Sequence, residues 1–407
     1  MKVIVSHPTG NQNVRNLLSG LKDKELLDYF FTTFGIYDDN ILSKLKFGSF
    51  TDFSRRSYSA DLKGHMISHP FLEIFRLLSI KLKYKRFYNG DESIFSNARI
   101  FENFDKHVAS KLKKSNFDII YSYAGSSLNT FRVASKLGKY KLYEQHGCYW
   151  QLAEEITYSE YLKNPEWKDT LPLLKTSQIK KENINEELFL SDEIIVASEF
   201  CKKSISDLTF NKKINVIPYG FSNPISSRKY LKNKKLKLLF VGNLSQLKGL
   251  SYLFEAVNSY NQHIELSIIG SLPSLDSPIL NYNLKKHNYL GTMNHQSVLA
   301  QMQQNDILIF PTLLDAFGMV ITEAMSQGTP VITTTNSAGP EIISHNKDGW
   351  IIESSQSDSI KKIIEELLIN RGLVQEFGQN ALIKAASRSW LDYQNDISNL
   401  IINIKTN

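Results

Sequence analysis

Short runs of branched and aromatic residues alternate with longer amphipathic stretches along most of this chain, and the series restarts once, near Lys237. The first series reads as strands at Lys2–Ser6, Asp118–Tyr123, Lys141–Glu144, Glu193–Ala197 and Asn215–Ile217. The second reads as strands at Lys237–Val241, Ile264–Ile269, Asp306–Phe310, Pro330–Thr334 and Gly349–Ile352. Helical patterns such as Phe131–Leu137, Leu250–Tyr260, Ser297–Gln304 and Ser359–Ile369 fall between them. Alternation of this kind builds parallel sheets covered by helices. Its restart predicts an α/β chain of two doubly wound domains, residues 1–218 and 237–389, facing across a cleft. The intervening 219–236 opens with Tyr219, Gly220 and Pro224 and turns basic, which suits a linker. Ligands of such sheets bind beyond the carboxyl ends of the strands. Residues 25–115 are the least legible part and read as a helical insertion rich in aromatics.

Composition narrows the class. A length of 407 residues suits two or three domains, and 42% hydrophobic with 22% charged residues is an ordinary globular balance. No apolar run is long enough to span a bilayer. The apolar start ends at Pro8, too early for a signal-peptide core, and reads as a strand. Two cysteines, Cys148 and Cys201, stand at no metal-ligand spacing, so a reducing, cytoplasmic setting without structural zinc is expected. The net charge of +7 is uneven: residues 76–116 hold ten Lys/Arg against four carboxylates. In Ile80–Tyr88 basic and apolar residues interleave. Such a region is a solvated face, a surface for anionic lipid headgroups on the inner leaflet, or a phosphate-binding strip. No nucleic-acid motif accompanies it, so nucleic acid is not expected as a partner.

The densest chemical signal lies at 306–332. A strand runs into a loop carrying Asp315, Gly318 opens a helix, Glu323 sits a turn and a half inside it, Gly328 ends it, and Pro330 starts the next strand. A loop carboxylate and a helical one can hold opposite ends of one ligand, and both accept hydrogen bonds from hydroxyls. The helix start between them offers unpaired N–H groups and a positive dipole end to a pyrophosphate. Upstream, Val241-Gly242-Asn243 ends a strand and Lys248 follows at a helix entry. Gly242 lets backbone approach a ligand, and Lys248 neutralises phosphate charge. After the first strand, Gly10 suits a positive φ, while Asn11, Asn13 and Arg15 are contacts for a phosphate or acceptor or else an ordinary polar turn and helix cap.

The segment from Asp315 through Phe317 and Gly318 to Glu323, followed by Ala324-Met325 and Gly328-Thr329-Pro330-Val331, resembles the signature of family 4 retaining glycosyltransferases of the GT-B fold, the glycosyl transferases group 1. The resemblance implies two Rossmann-like domains, with the terminal helix 390–407 returning to the first. It implies a hexosyltransferase acting on a nucleoside diphosphate sugar, with a glycan or lipid-linked acceptor. In the family the first acid holds sugar hydroxyls and the second the ribose. This chain has Asp315 where Glu is usual, and Asn243 where an Arg usually joins Lys248 on the diphosphate; Arg15 is a candidate replacement. His146, just past a strand, matches the position that lines the donor-sugar pocket. Thr292 and Met293 match the loop beside the nucleobase, and Glu341 matches a segment near the donor, although it also reads as a helix-start acid. The implied catalytic set is His146, Lys248, Asp315 and Glu323, with Gly10, Asn11, Gly242, Asn243, Thr292, Met293, Phe317 and Gly318 around the donor.

No Asp-x-Asp pair occurs in the chain. The expectation is therefore a transferase with no cofactor and no metal, in which Lys248 and backbone dipoles balance the leaving diphosphate. Surface polysaccharide or lipopolysaccharide synthesis is the expected setting, in the cytoplasm or peripherally on the inner membrane. The rivals are another GT-B enzyme, such as a nucleotide-sugar epimerase or glycan phosphorylase, and a non-catalytic protein of glycan assembly.

Overall fold

The computed structural model describes residues 1–39, 56–88, 93–171, 177–208, 212–230, 234–273 and 275–404. Two parallel sheets organise it. The first contains β1 (Val3–Ser6), β2 (Leu27–Thr32), β3 (Met66–Ser68), β4 (Ile119–Tyr123), β5 (Tyr140–Gln145), β6 (Glu193–Val196) and β7 (Lys213–Val216). Their spatial order is β3-β2-β1-β4-β5-β6-β7. The second contains β8 (Leu236–Val241), β9 (Ile264–Ile269), β10 (Asn288–Tyr289), β11 (Ile307–Phe310), β12 (Val331–Thr334) and β13 (Gly349–Ile352), ordered β10-β9-β8-β11-β12-β13. Each sheet grows outward from its first strand in one direction and then reverses. That is the doubly wound Rossmann-like order, and it opens a crevice beside the first strand.

The central strands are buried on both faces, which explains their unbroken apolar runs. Val3, Ile4 and Val5 are fully buried, as are Ile307, Leu308 and Ile309. The expected strands all form. The sheet also takes in β2 and β3, from the stretch that read as a helical insertion. Leu27-Asp28-Tyr29-Phe30-Phe31-Thr32 is an aromatic-rich run beside β1, and β3 has only three residues. Part of that stretch is helical, at Phe71–Lys81 and Asn97–Leu112.

Several contacts among the described residues join the two units. The helix Trp390–Ile402 lies against Gln12–Asp23, and the Gln394 amide donates to Asn16 Oδ1 (2.8 Å). Residues 405–407 of the expected terminal helix, and 231–233 of the expected linker, lie outside the described residues. In the linker, Tyr219 donates to the buried Glu144 carboxylate (2.9 Å), which also accepts from Tyr121 (2.5 Å). Burial raises the Glu144 pKa, and the tyrosine hydroxyls oppose the shift. Finally, Trp167 packs on Phe254 in the second unit's core, and Glu160 accepts from the Gln246 amide (2.7 Å) and Tyr252 (2.9 Å).

Candidate donor site

The order of the second sheet brings the loops after β8 and β11 side by side. Leu313 N–H donates to Leu247 O (2.8 Å), locking them together. Gly249 makes the approach feasible: its φ is +73°, and a Cβ there would lie 2.0 Å from the Pro311 carbonyl oxygen. The consequence is an ion pair. Lys248 Nζ lies 2.6 Å from Asp315 Oδ2 and 3.1 Å from Leu314 O. The ammonium also sits 5.4 Å from the centre of the Phe310 ring. The other Asp315 oxygen accepts from Phe317 N–H (3.1 Å), and Asp315 N–H donates to Asn336 O (3.1 Å). Asp315 is thus fixed on three sides, with 22% of its side chain still exposed.

Gly318, at φ +83°, starts the helix Met319–Ser326, and no side chain caps that start. Its first N–H groups keep their donor capacity. Glu323 lies on this helix, 16% exposed, and is 3.0 Å from His295 Nε2. The hydrogen bond to Glu323 raises the His295 pKa above the ordinary imidazole value. His295 begins the preceding helix, His295–Gln304, two residues beyond Met293; Thr292 is exposed and Met293 half-buried in that loop. Asn243 is exposed at the end of β8 and accepts from Ser271 Oγ (2.8 Å). Where a cation was the usual residue, a neutral link therefore joins two loops. Gly242 N–H continues the strand pairing to Ile269 O (3.0 Å).

On the first sheet the corresponding crevice lies between β1 and β4. His7 is buried there, edge-on to Tyr123 at 4.5 Å. Its Nδ1 accepts from the N–H groups of Thr9 (3.1 Å) and Gly10 (2.7 Å), which assigns the ring proton to Nε2. Burial, then His146 and Arg56, bring the His7 pKa down to about 3. Gly10 has φ +65° and abuts the Tyr58 hydroxyl. Asn11 caps the following helix by accepting from Val14 N–H (2.9 Å). Its carbonyl is thereby committed, which is the ordinary cap foreseen as the alternative. Asn13 and Arg15 are half-buried on that helix. Burial holds the Arg15 pKa below its usual value against the pull of Tyr58. His146 follows β5, 6.4 Å from the Tyr123 ring. It is exposed, and desolvation by the surrounding protein, then Lys180, lowers its pKa.

The first domain also reaches the Asp315 loop. Ser198 Oγ donates to Ala316 O (2.6 Å), and Glu199 N–H donates to Glu341 (3.0 Å). Burial, with Glu199 nearby, pushes the Glu341 pKa up to about 7. Phe317 is buried against Tyr219, ring centres 5.0 Å apart, so only its backbone faces the Asp315 carboxylate. Sequence reasoning missed His295 and Asn336. Only His295 carried a signal, as an imidazole at a helix start after a loop already singled out. Among the described residues, no three His, Cys, Asp or Glu side chains cluster to hold a metal ion, and no helix is long and apolar enough to cross a membrane.

Residues 222–384 match the glycosyl transferases group 1 family. A capsular polysaccharide biosynthesis glycosyltransferase, CapM of Staphylococcus aureus, is 29% identical over 214 residues, which cover 47% of this chain and 56% of that protein. Among solved structures, sucrose-phosphate synthase from Thermosynechococcus elongatus superposes with a TM-score of 0.68 at 15% identity, over 99% of this chain and 98% of that one. HepE of Anabaena in complex with UDP-glucose gives 0.63 at 14%, over 99% and 100%. At such identities the structural likeness speaks for the fold, and that fold is GT-B. Residues 222–384 thus match the glycosyl transferases group 1 family, within a chain folded as GT-B throughout.

Proposed function

We propose that this protein is a retaining hexosyltransferase. It moves a sugar from a nucleoside diphosphate donor to a hydroxyl of a glycan or lipid-linked acceptor in surface polysaccharide or lipopolysaccharide synthesis. The observation that carries the proposal is the Lys248–Asp315 pair at the crevice of the second sheet, with the uncapped Gly318 helix start beside it. A donor entering there exchanges partners with the pair. Lys248 turns to the diphosphate and Asp315 to the sugar hydroxyls, while Glu323 leaves His295 for the ribose. Gly242, Asn243, Thr292 and Met293 bound the donor through backbone and short polar groups. Neutral His146 holds a sugar hydroxyl from the opposite domain, and Asn13 and Arg15 lie toward the acceptor or phosphate.

Retention follows if the acceptor hydroxyl attacks from the face that the diphosphate leaves, its proton passing to the departing phosphate oxygen. The developing charge is met by Lys248 and the helix N–H groups, without a protein-held metal. Closure of the domains limits hydrolysis. CapM, by its name a capsular polysaccharide enzyme, supports the polysaccharide setting, and HepE, solved with UDP-glucose, supports a nucleotide sugar. The basic region 76–116 supports a place on the cytoplasmic face of a membrane; its residues 89–92 lie outside the described ones.

The test is a donor panel read out as released nucleoside diphosphate, with and without EDTA, using Glu323→Ala as control. NMR of the product's anomeric proton reads retention. Release that is abolished in the control and indifferent to EDTA is expected. No release from any common donor, with or without lipid acceptors, would leave the non-catalytic reading, which Asn243 favours.

A further inference from the structure

The helix Phe71–Lys81 is built inside out. Its only buried residues are polar, Glu73 and Ser79: Glu73 is 1% exposed and held by Arg56 and by Arg76 in two contacts of 2.6 and 2.9 Å, while Leu72, Ile74, Leu77 and Ile80 are half-buried. Its outward face is apolar. Phe71, Phe75, Leu78 and, just past its end, Leu82 recur at intervals of four, three and four, which is one stripe along a helix. They are 69%, 51%, 47% and 60% exposed. A surface helix of a soluble domain normally presents the opposite pattern.

The stripe runs on into an aromatic cluster: Phe75 stacks on Phe95 at 5.8 Å, Phe87 lies 6.2 Å from Phe95, and Tyr84 lies 6.3 Å from Phe87. Cations border it. Lys81, Lys83, Lys85 and Arg86 are exposed, and no carboxylate occurs between residues 81 and 88. The location is also specific. The helix begins just beyond β3, at the carboxyl edge of the first sheet, where His69 N–H donates to Thr32 O (2.9 Å). That is the edge that carries the His7–Asn11 turn.

We infer that this face docks the protein on an anionic phospholipid bilayer, with the stripe of Phe71, Phe75, Leu78 and Leu82 lying at the acyl boundary and Lys83, Lys85 and Arg86 on headgroup phosphates. It rests on the lipid-surface part of the proposed function and names the residues that make the contact. An apolar stripe with a cationic border matches an interfacial helix, whose apolar face sinks to the headgroup–acyl boundary while cations stay among the phosphates. A protein groove would cover the stripe equally well but gives no reason for the run of cations on its border. Docking by this edge holds the crevice rim near the bilayer, where a lipid-linked acceptor lies.

The experiment is co-sedimentation of the full chain with vesicles of phosphatidylcholine alone, or with about 30% phosphatidylglycerol. Binding to the anionic vesicles, weakening as salt rises, is expected. The variant Lys83→Gln/Lys85→Gln/Arg86→Gln should lose about 100-fold on anionic vesicles, since each cation is worth roughly fivefold. The variant Phe71→Ser/Leu78→Ser/Leu82→Ser should lose at least tenfold on both vesicle types, by roughly a factor of two to five per side chain. Both variants should keep wild-type melting and nucleoside diphosphate affinity, because the altered side chains are exposed and outside the donor site. Wild-type protein that ignores both vesicles, or variants that bind like wild type, would overturn the inference. So would a wild-type dimer that the serine variant converts to monomer, because the face would then be a contact between copies. Donor binding is measured without vesicles, so the two readings fail separately.

Discussion

The Lys248–Asp315 pair yields a prediction in which two substitutions act with opposite sign. In the resting site the two groups satisfy each other at 2.6 Å, each about one-fifth exposed. A nucleoside diphosphate must take the lysine from the acid. Lys248→Met removes a charge-assisted contact to phosphate worth about 1.5–3 kcal/mol, so affinity should fall about 10- to 150-fold. Asp315→Asn frees the lysine and removes an anion that repels the phosphates. At roughly 7 Å and an effective dielectric of about 20–40, that repulsion is about 1–2 kcal/mol, so the bare diphosphate should bind about 5- to 30-fold tighter. Turnover of the sugar donor should nonetheless fall by about 100-fold or more, because the hydroxyl partner is lost. Calorimetry with UDP, ADP and GDP, beside steady-state rates, reads both effects. Fold stability should hardly move in either variant, since a partly exposed pair contributes about 1 kcal/mol or less. If Asp315→Asn weakens diphosphate binding as Lys248→Met does, the acid positions the lysine rather than competing for it, and the exchange of partners is wrong.

Three further outcomes follow from the same geometry. Glu323 raises the His295 pKa, so protonated His295 holds Glu323 away from ribose; donor KM should fall as pH rises through that pKa and become flat in His295→Ala, read from pH profiles of donor KM. His7 has a folded pKa of about 3 against 6.5 unfolded, so the unfolded chain takes the proton first, and stability is lost as pH falls from 6.5 toward 3. Urea unfolding should show His7→Gln removing a slope of about 1.4 kcal/mol per pH unit within that window. Gly249→Ala places a Cβ against the Pro311 carbonyl and should lower stability by more than about 2 kcal/mol, whereas Gly291→Ala, at φ +74° with open space around it, should lose only about 1 kcal/mol; denaturant midpoints compare them.

What could be read from sequence was what short-range pattern controls. Runs such as Ile307–Phe310 are buried on both faces, so their composition announces a parallel strand. Asp315, Gly318 and Glu323 lie within nine consecutive residues, and their spacing alone places one acid before a helix and another on it. The illegible parts depend on partners far along the chain. β3 is a strand because β2 lies beside it, and Met66-Ile67-Ser68 carries no period of its own. Glu73 reads as a solvent-facing helical acid, but Arg56, seventeen positions earlier, draws it inward and turns Phe71 and Phe75 out. His295 and Ser198 act through groups 28 and 118 positions away.

Taken together, the contacts at the second crevice suggest why such a site would select an intact nucleotide sugar over its fragments. Each base there is already held by an acid, Lys248 by Asp315 and His295 by Glu323, so the empty crevice is electrostatically satisfied. A free sugar could offer hydroxyls to Asp315 but would strand Lys248 without its anion. A bare pyrophosphate could take Lys248 but would leave Asp315 beside a new negative charge. Each fragment breaks a pair without replacing both partners, a bias of about 1 kcal/mol or less per pair against it. A ligand joining an anion to hydroxyls on both sides would give Lys248, Asp315 and Glu323 new partners together, and only His295 would have to give up its acid. The neutral Asn243 fits this account: it ties its loop to Ser271 by a hydrogen bond and adds no further charge for a ligand to match.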